Sequence, residues 1–375
     1  VDGENWKNWL LYIFENGLAK AYNNTDISYP PLYIYGLYAF TLLFNSAEKL
    51  LSHLYLTRII ALAFDFVVIV VLLKFVSAVK KQPAIVLFLL LNIAFVYNSL
   101  IWWQTDSIHT ALVFISVLAA FLGNVVISVL FLVLAINAKL NAIIYFPVIA
   151  FLLLPAINIQ PKKIFMALLL SAAAMLLIWY PFYAENNITT WITALQQRVN
   201  YYHFASMKAY NFWYLFLDEN PRNVNDNVLV FNAISYHMLG LILFAAAFVA
   251  SLFPLLKKVL HKLKTKTGFS EKEYGFVFLT LGLLTLIAFF FPTRIHERYA
   301  HAGVLFFFLY ACYMGKFRLY VLYSIAYFIN LEKEAQFLLI PNELDELIKP
   351  EYVAIMYLLT GVIAFKKLYA MPQEA

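Results

Sequence analysis

The segment around which the fold is organised is residues 291–301, FPTRIHERYAH, which interrupts an otherwise apolar part of the chain. It carries two arginines, a glutamate and two histidines. Ionisable side chains are rare inside a bilayer, so this group predicts a polar mouth between two membrane helices. Arg294 and Arg298 are of the type that binds phosphate, and His296 can donate a hydrogen bond or transfer a proton. The alternative is a helix end whose charged side chains extend to the membrane surface.

The composition of the whole chain is that of a polytopic membrane protein. Hydrophobic residues make up 63% of it and charged residues 13%, whereas about a quarter of a soluble domain is charged. The net charge of +6 comes with lysines in the loops between apolar runs, so orientation in the bilayer explains it better than nucleic-acid binding. The single cysteine, Cys312, lies in an apolar run, which excludes a disulfide framework.

Eleven apolar runs predict membrane helices, and the fold class is therefore an all-α polytopic membrane protein. The chain begins with Val1 in polar sequence, so we expect a further transmembrane helix before it. The predicted helices cover about residues 55–78, 83–103, 108–122, 125–136, 143–154, 164–183, 231–256, 274–291, 303–313, 319–329 and 352–365.

Residues 1–54 are predicted to form a first external loop with surface helices. A partial helix is expected after Pro30 and Pro31, because its apolar part ends near Phe44 and a crossing needs about 20 residues. An amphipathic helix on the membrane surface is expected before it. Its apolar face comprises Trp6, Trp9, Leu10, Ile13 and Phe14.

The lysines predict how these helices are oriented. If the chain crosses the membrane at each run, the lysine-rich connections fall on one side, which is then cytoplasmic. These connections are residues 79–82, 157–163, 257–273, 314–318 and 366–367. The opposite, external side receives residues 104–106 and 137–141 as well as the first loop. The chain thus divides into the loop 1–54 and a bundle, 55–375, with external loops at 184–230, 292–301 and 332–350.

Several external residues have both a chemical and a structural interpretation. Asp2 or Glu4 can act as a general base toward a hydroxyl, although an isolated acidic residue there more often caps a helix or is solvated. Asp106 follows Gln104 at a helix start, where capping alone explains it. Lys139 interrupts apolar sequence on the side without lysine bias. Facing lipid it would cost about 3 kcal/mol, which an anionic partner would offset.

Metal binding is weakly indicated. His296, His301, Asp2 and Asp106 can converge, but no metal-ligand spacing such as HxxxH on one helix occurs. We therefore expect no cofactor and no metal, although a divalent cation remains compatible with the acidic residues.

In their order along the chain, these residues resemble the motifs of the GT-C glycosyltransferases, membrane enzymes that use lipid-phosphate-linked sugars. The similarity is to the branch with dolichyl-phosphate-glucose enzymes of N-glycan assembly and bacterial GPI-mannosyltransferase-like proteins. That branch has an acidic residue, a Trp and Tyr-Pro-Pro-Leu in the first external loop, and Gln with an acidic residue after the third helix. It then has a Lys after the fifth helix and Asn-Phe-Trp in the long loop. After the ninth helix it has His-Glu-Lys or His-Glu-Arg. The matching residues are Asp2, Trp9, Tyr29-Pro30-Pro31-Leu32, Gln104, Asp106, Lys139, Asn211-Phe212-Trp213 and His296-Glu297-Arg298.

The resemblance implies an inverting transfer of a hexose, mannose or similar, from a polyprenyl- or dolichyl-phosphate donor to a lipid, glycan or protein acceptor. Asp2 would be the catalytic base, and His296, Arg298 and Lys139 would bind the donor phosphate. Supporting residues would be Glu4, Gln104, Asp106, Glu297 and Arg294. The site would face the outside of a bacterial cytoplasmic membrane, or alternatively the lumen of the endoplasmic reticulum. The 184–230 loop is short in comparison with oligosaccharyltransferases.

Two other classes of protein fit the same composition. A transporter or flippase for a lipid-linked sugar would also need many spans and buried charges, but it more often shows broken helices at the midplane or repeated halves. A structural membrane subunit would tolerate replacement of Asp2 and His296. The collection of polar clusters on one side favours the enzyme.

Overall fold

The structure is a computed structural model that describes residues 2–159, 161–185, 188–230, 232–339 and 348–371. Within these ranges the chain is mostly helical, which confirms the helical part of the predicted fold class. Two short strands, β1 (Leu229–Val230) and β2 (Ile234–Ser235), pair antiparallel with Leu229 opposite Ser235.

The first half of the chain contains mostly short helices. They are α1 (Asp2–Asn16), α2 (Pro31–Thr41), α3 (Ala47–Ser52), α4 (Arg58–Phe75), α5 (Ser77–Lys81), α6 (Leu87–Leu90), α7 (Ile93–Leu100), α8 (Asp106–Phe121), α9 (Val125–Ala138) and α10 (Phe146–Ile159). Single 3-10 turns join several of them: Ala21–Asn23, Leu54–Thr57, Pro83–Val86 and Leu140–Tyr145.

The second half contains longer helices. They are α11 (Pro161–Ala184), α12 (Ile188–Tyr201), α13 (Trp213–Phe216), α14 (Tyr236–Thr265), α15 (Glu271–Phe290), α16 (His301–Met314), α17 (Arg318–Ala335) and α18 (Pro350–Ala370), with a 3-10 turn at Glu297–Ala300. The predicted loop 184–230 therefore contains two helices. Residues 340–347 of the predicted loop 332–350 lie outside the described residues.

Helix α15 is the centre of the bundle, and α16 packs along it. Within the candidate span Glu271–Phe290, 89% of its 18-residue apolar window is buried, compared with 11% of the corresponding window within Lys162–Tyr183. The reason is compositional, since a helix that is apolar on every side is stable inside a bundle as well as in lipid. The peripheral helix α11 instead exposes large apolar side chains such as Leu176 and Leu177, as a lipid-facing helix does.

Five helices in the described ranges are long and apolar enough to cross a membrane, or six if the bent pair Pro83–Leu90 and Ile93–Leu100 is one span. The sequence predicts eleven. The difference arises because several apolar runs form helices of only 14 to 16 residues, including α8, α9 and α16. At 1.5 Å per residue such helices are about 21 to 24 Å long, shorter than the hydrocarbon core of about 30 Å.

Helix α1 buries the predicted apolar face against the protein. Trp6, Trp9, Leu10 and Ile13 are each at most 2% exposed. The rings of Trp6 and Trp9 pack against Tyr29, with centroid distances of 5.4 and 5.5 Å. The helical period was thus predicted correctly, but the surface that covers this face is protein rather than the membrane that the sequence pattern suggested.

The helices bring two groups of connections to opposite ends of the bundle. Near the beginning of α15, Ser77 hydrogen-bonds Glu271, and Tyr274 stacks on Phe121 with a centroid distance of 3.7 Å. Near the other end of α15 lie the segment that follows it and the start of α8, with Asp106. The second end carries the residues predicted to be functional.

Candidate functional site

The centre of the candidate site is a buried ion pair between Lys139 and Asp106. Lys139 Nζ donates to Asp106 Oδ1 at 2.5 Å, and the two side chains are 7% and 1% exposed. Asp106 is the first residue of α8 and Lys139 directly follows α9. Because α8 and α9 form an antiparallel hairpin, the start of one helix and the end of the other lie side by side.

The helix ends favour this arrangement electrostatically. The partial positive charge of a helix N-terminus stabilises a carboxylate such as Asp106, and the negative C-terminal end stabilises a cation such as Lys139. Asp106 is thus the partner that offsets the cost of a lysine in apolar sequence. The expected anion, a ligand phosphate, is not needed to explain why Lys139 is there.

Tyr299 links this ion pair to the 291–301 segment. Its ring lies 4.8 Å from Lys139 Nζ, 5.6 Å from Arg298 Cζ and 5.6 Å from the His296 ring. Burial raises the pKa of the Tyr299 hydroxyl, Lys139 and Arg298 oppose this rise, and Tyr29 is close enough to add to it. Tyr29 in the 1–54 segment, the α8–α9 hairpin and the 291–301 segment therefore meet around one aromatic ring.

Glu297 contacts the side chains of both neighbouring residues, His296 and Arg298. It is fully buried, and its carboxylate lies 3.4 Å from Arg298 Nη1 and 3.8 Å from His296 Nδ1. Burial alone would raise its pKa, but the hydrogen bond from His296 and the charge of Arg298 lower the pKa of Glu297 to about 2. Glu297 is therefore ionised at neutral pH, and it partly neutralises the charge of Arg298.

Consequently, the three predicted phosphate-binding residues come together, but each of them contacts a carboxylate. Lys139 keeps donor capacity beyond its one hydrogen bond to Asp106, because an ammonium has three N–H donors. His296 is the most accessible of the three, with 21% of its side chain exposed. An anion at this place would be held by oriented donors rather than by a large excess of positive charge.

Several buried polar atoms close to the ion pair have no hydrogen-bond partner among the described residues. They are Asp106 Oδ2, Thr105 Oγ1, His109 Nδ1 and His301 Nδ1. Most buried polar atoms in proteins are paired with protein or water. Their concentration here, at the ends of α8 and α16, is what a site for a polar ligand would require.

The first turn of α1 lies against this region. Trp6 Nε1 donates to the carbonyl oxygen of Trp103 at 3.1 Å, and a Cβ added to Gly3 would lie 3.4 Å from the Trp103 ring. Asp2 begins α1, but its side chain lies outside the described residues. The other candidate base, Glu4, is exposed to solvent and forms an ion pair with Lys7 at 3.7 Å.

Gln104 supports the segment that precedes α8. It is buried, its backbone N–H donates to the Asn98 carbonyl at 2.9 Å and its Nε2 donates to the Trp102 carbonyl at 3.4 Å. The preceding residue, Trp103, has a φ of 59°. A left-handed conformation costs a non-glycine residue about 1–3 kcal/mol and is most often retained at functional sites.

Arg294 binds Asp226 rather than lying free to bind the expected donor phosphate. Its Nε donates to Asp226 Oδ2 at 2.6 Å, its Nη2 donates to Asp226 Oδ1 at 3.1 Å, and Nη2 lies 2.8 Å from His203 Nδ1. Asp226 also accepts a hydrogen bond from Thr293 at 2.7 Å. Arg294 therefore connects the 184–230 loop to the 291–301 segment, and its guanidinium is already used in a two-pronged ion pair.

The Asn211-Phe212-Trp213 motif also has a structural role in the fold. Asn211 is fully buried and its Nδ2 donates to the carbonyls of Phe289 and Pro292 at 3.4 and 3.5 Å. Trp213 Nε1 donates to the Phe291 carbonyl at 3.1 Å. The motif thus satisfies carbonyl groups at and just after the end of α15, which have no partner within the helix.

Sequence reasoning missed Tyr299 and a buried polar pairing below the site. Tyr299 lies inside the 291–301 segment, so its position was the available signal. Ser107 Oγ lies 3.3 Å from His301 Nε2, and the His301 ring stacks on Phe95 with a centroid distance of 5.2 Å. Ser107 carried no sequence signal, because serine is unremarkable one residue into a helix.

Within the described part of the chain, no group of three or more His, Cys, Asp or Glu side chains is arranged to hold a metal ion. The side chain of Asp2 lies outside that part. No protein-family model matches the chain, and a search of curated proteins returns no match.

Proposed function

We propose that the chain is an integral-membrane inverting glycosyltransferase of GT-C type, which moves a hexose from a polyprenyl-phosphate donor to a lipid, glycan or protein acceptor. One observation carries the proposal. The first turn of α1, the segment around Trp103, the Asp106–Lys139 pair and the 296–299 segment meet at one end of the bundle. These are the segments that carry the motif residues of the GT-C resemblance.

The proposed chemistry needs one base and a set of donors for the leaving group. A sugar phosphodiester already has a good leaving group, so a single displacement with inversion needs no general acid, unlike hydrolysis by two carboxylates. Asp2 would accept the proton of the attacking hydroxyl. His296, Arg298 and Lys139 would stabilise the charge that grows on the departing phosphate, and donors already held in place do this best. Glu297 and Asp106 would hold them.

The proposed compartment follows from the lysine distribution. The candidate site lies at the bundle end opposite Glu271 and Lys258, and it would face the outside of a bacterial cytoplasmic membrane. The lumenal face of the endoplasmic reticulum would satisfy the same charge rule.

The test is transfer by the full-length protein in nanodiscs. Radiolabelled polyprenyl-phosphate hexoses serve as donors, and a cellular extract of lipids and glycans serves as the acceptor pool. We expect transfer by the wild type and a loss of at least about a hundredfold in both Asp2→Asn and His296→Ala, since one general base and one donor to the developing charge are each worth about that factor. A matched control is Glu4→Gln, which removes the exposed neighbouring carboxylate.

The outcomes separate the class of protein from the assigned residues. Loss in Asp2→Asn with transfer retained in Glu4→Gln supports Asp2 as the base, whereas the reverse result assigns the base to Glu4. Transfer that survives both Asp2→Asn and His296→Ala contradicts the site assignment. Absence of transfer from every donor contradicts the proposal that the chain is a glycosyltransferase.

A second candidate, a flippase for a lipid-linked sugar, is favoured by one observation. The pair Pro83–Leu90 and Ile93–Leu100 is bent by 57°, and broken helices are typical of transporters. The same vesicles would distinguish the two candidates, because a flippase moves a fluorescent lipid-linked sugar between leaflets without cleaving it. Movement without transfer would favour the flippase.

A further inference from the structure

A cavity lined by lysines and apolar side chains lies at the opposite end of the bundle from the candidate site. It occupies about 380 Å³ between the ends of α14, α15, α16 and α18, which is within the size range of sites for small ligands, about 300–1,000 Å³. Its wall includes the side chains of Lys258, Lys272, Lys316 and Lys367. No residue assigned to the proposed transfer reaction lines it.

The charge of this cavity is strongly positive. Four lysines face one carboxylate, that of Glu273. Glu273 is already engaged by Lys262 at 2.9 Å, by Lys258 at 3.8 Å and by the backbone N–H of Ser270 at 2.8 Å. Among the described residues, Lys272, Lys316 and Lys367 form no ion pair with an acidic side chain. Like charges that converge on a cavity favour an anion, because it offsets their mutual repulsion.

The remaining wall of the cavity is apolar. Phe276 and Tyr310 are nearly fully buried and form its inner side together with Met314. The helices that supply Lys258 and Lys367 also carry exposed apolar side chains nearby, Leu260 at 50% and Ile363 at 40%. A ligand with an anionic head and an apolar body fits these surfaces, whereas a free inorganic ion would use only the lysines.

We propose that this cavity binds the phosphate headgroup of an anionic phospholipid, with the acyl chains along α14 and α18. Basic pockets between membrane helices on the lysine-rich side recognise such headgroups. The bound lipid would join the ends of α14 and α18 to the central helix α15, on the side of the bundle away from the candidate site. This site does not depend on whether the chain transfers sugar.

The test compares lipid binding by the purified full chain in neutral detergent, by native mass spectrometry. Phosphatidylglycerol and phosphatidylcholine are the probes, and inorganic phosphate is the competitor. The variant combines Lys272→Gln, Lys316→Gln and Lys367→Gln. We expect the preference for phosphatidylglycerol to fall by about a hundredfold, since each of the three lysines contributes roughly fivefold near an anionic lipid.

A charge-matched variant provides the control. Lys80→Gln, Lys81→Gln and Lys366→Gln remove three exposed lysines at the same end of the bundle that do not line the cavity. If this control retains the preference for phosphatidylglycerol, the result supports lipid binding in the cavity. An equal loss in the control, or no preference in the wild type, overturns the proposal. Displacement of phosphatidylglycerol by inorganic phosphate at equal concentration overturns the proposal of a lipid site and indicates that the cavity binds a free anion. Circular dichroism of each variant confirms folding.

Discussion

Replacing Lys139 by methionine removes the cation that lies 2.5 Å from Asp106 Oδ1 and leaves that carboxylate 1% exposed. The methionine keeps most of the apolar length of the lysine, so the change isolates the charge. The reverse change, Asp106→Leu, leaves the ammonium of Lys139 buried at 7% exposure without its carboxylate partner and 4.8 Å from the Tyr299 ring. A double variant with both changes removes the pair as a whole.

The expected magnitudes follow from the burial of both partners. Removing one member of a buried ion pair costs about 3–5 kcal/mol, because the other charge stays without its partner. The contact of Lys139 with the Tyr299 ring adds roughly 0.5–2 kcal/mol to its own loss. Replacing both members by apolar residues is often neutral or stabilising. We therefore expect both single variants to lose about 3–5 kcal/mol of unfolding free energy and the double variant to recover most of that loss.

Two assays on the same preparations separate stability from function. Denaturant unfolding in detergent gives the free energy of unfolding of the four proteins, and sugar transfer in nanodiscs gives activity per folded molecule. Lys139 is a proposed donor to the leaving phosphate, so the double variant should be stable and still defective in transfer. A loss of less than about 1 kcal/mol in Lys139→Met would refute the buried ion pair. Full transfer by the double variant would refute the proposed role of Lys139.

Three further predictions concern the 291–301 segment and the first turn of α16. Glu297 has a pKa lowered from 4.5 to about 2. Above about pH 4.5 the ionised carboxylate therefore adds about 3 kcal/mol to the free energy of unfolding. This contribution is lost as the pH falls toward 2, and unfolding followed by circular dichroism at each pH would measure the loss. Gly303→Ala places a Cβ against the buried Tyr323 ring, so it should lower stability by about 1–3 kcal/mol in denaturant unfolding. Arg294→Ala removes the hydrogen bonds to buried Asp226 and should cost about 2–3 kcal/mol by the same method.

Each of these has its own control. Glu297→Gln should show a smaller loss of stability between pH 4.5 and 2 than the wild type, and an unchanged loss would contradict the assignment. Gly268→Ala, where a Cβ meets nothing within 4 Å, should be close to neutral. Arg294→Ala should retain more transfer per folded molecule than Arg298→Ala, because the Arg294 guanidinium is occupied by Asp226 of the 184–230 loop. An equal loss of transfer in the two variants would indicate that Arg294 also binds the donor phosphate.

Local patterns in the sequence predicted what depends on neighbours along the chain. Trp6, Trp9, Leu10 and Ile13 share one face because a helix repeats every 3.6 residues, and all four are buried. The number of long spans could not be predicted equally well. An apolar run shows only that a segment is buried in protein or lipid, and α16 is buried in protein although its sequence is as apolar as a membrane span.

The order of the polar residues along the chain was readable from the sequence, whereas their pairing was not. Composition and periodicity determined that the chain is helical and that it is suited to a membrane. Tertiary structure alone decided that Lys139 meets Asp106 and that Arg294 meets Asp226. The physical reason is that an ion pair between residues distant in sequence depends on which helix ends are packed together, and no local periodicity records that packing.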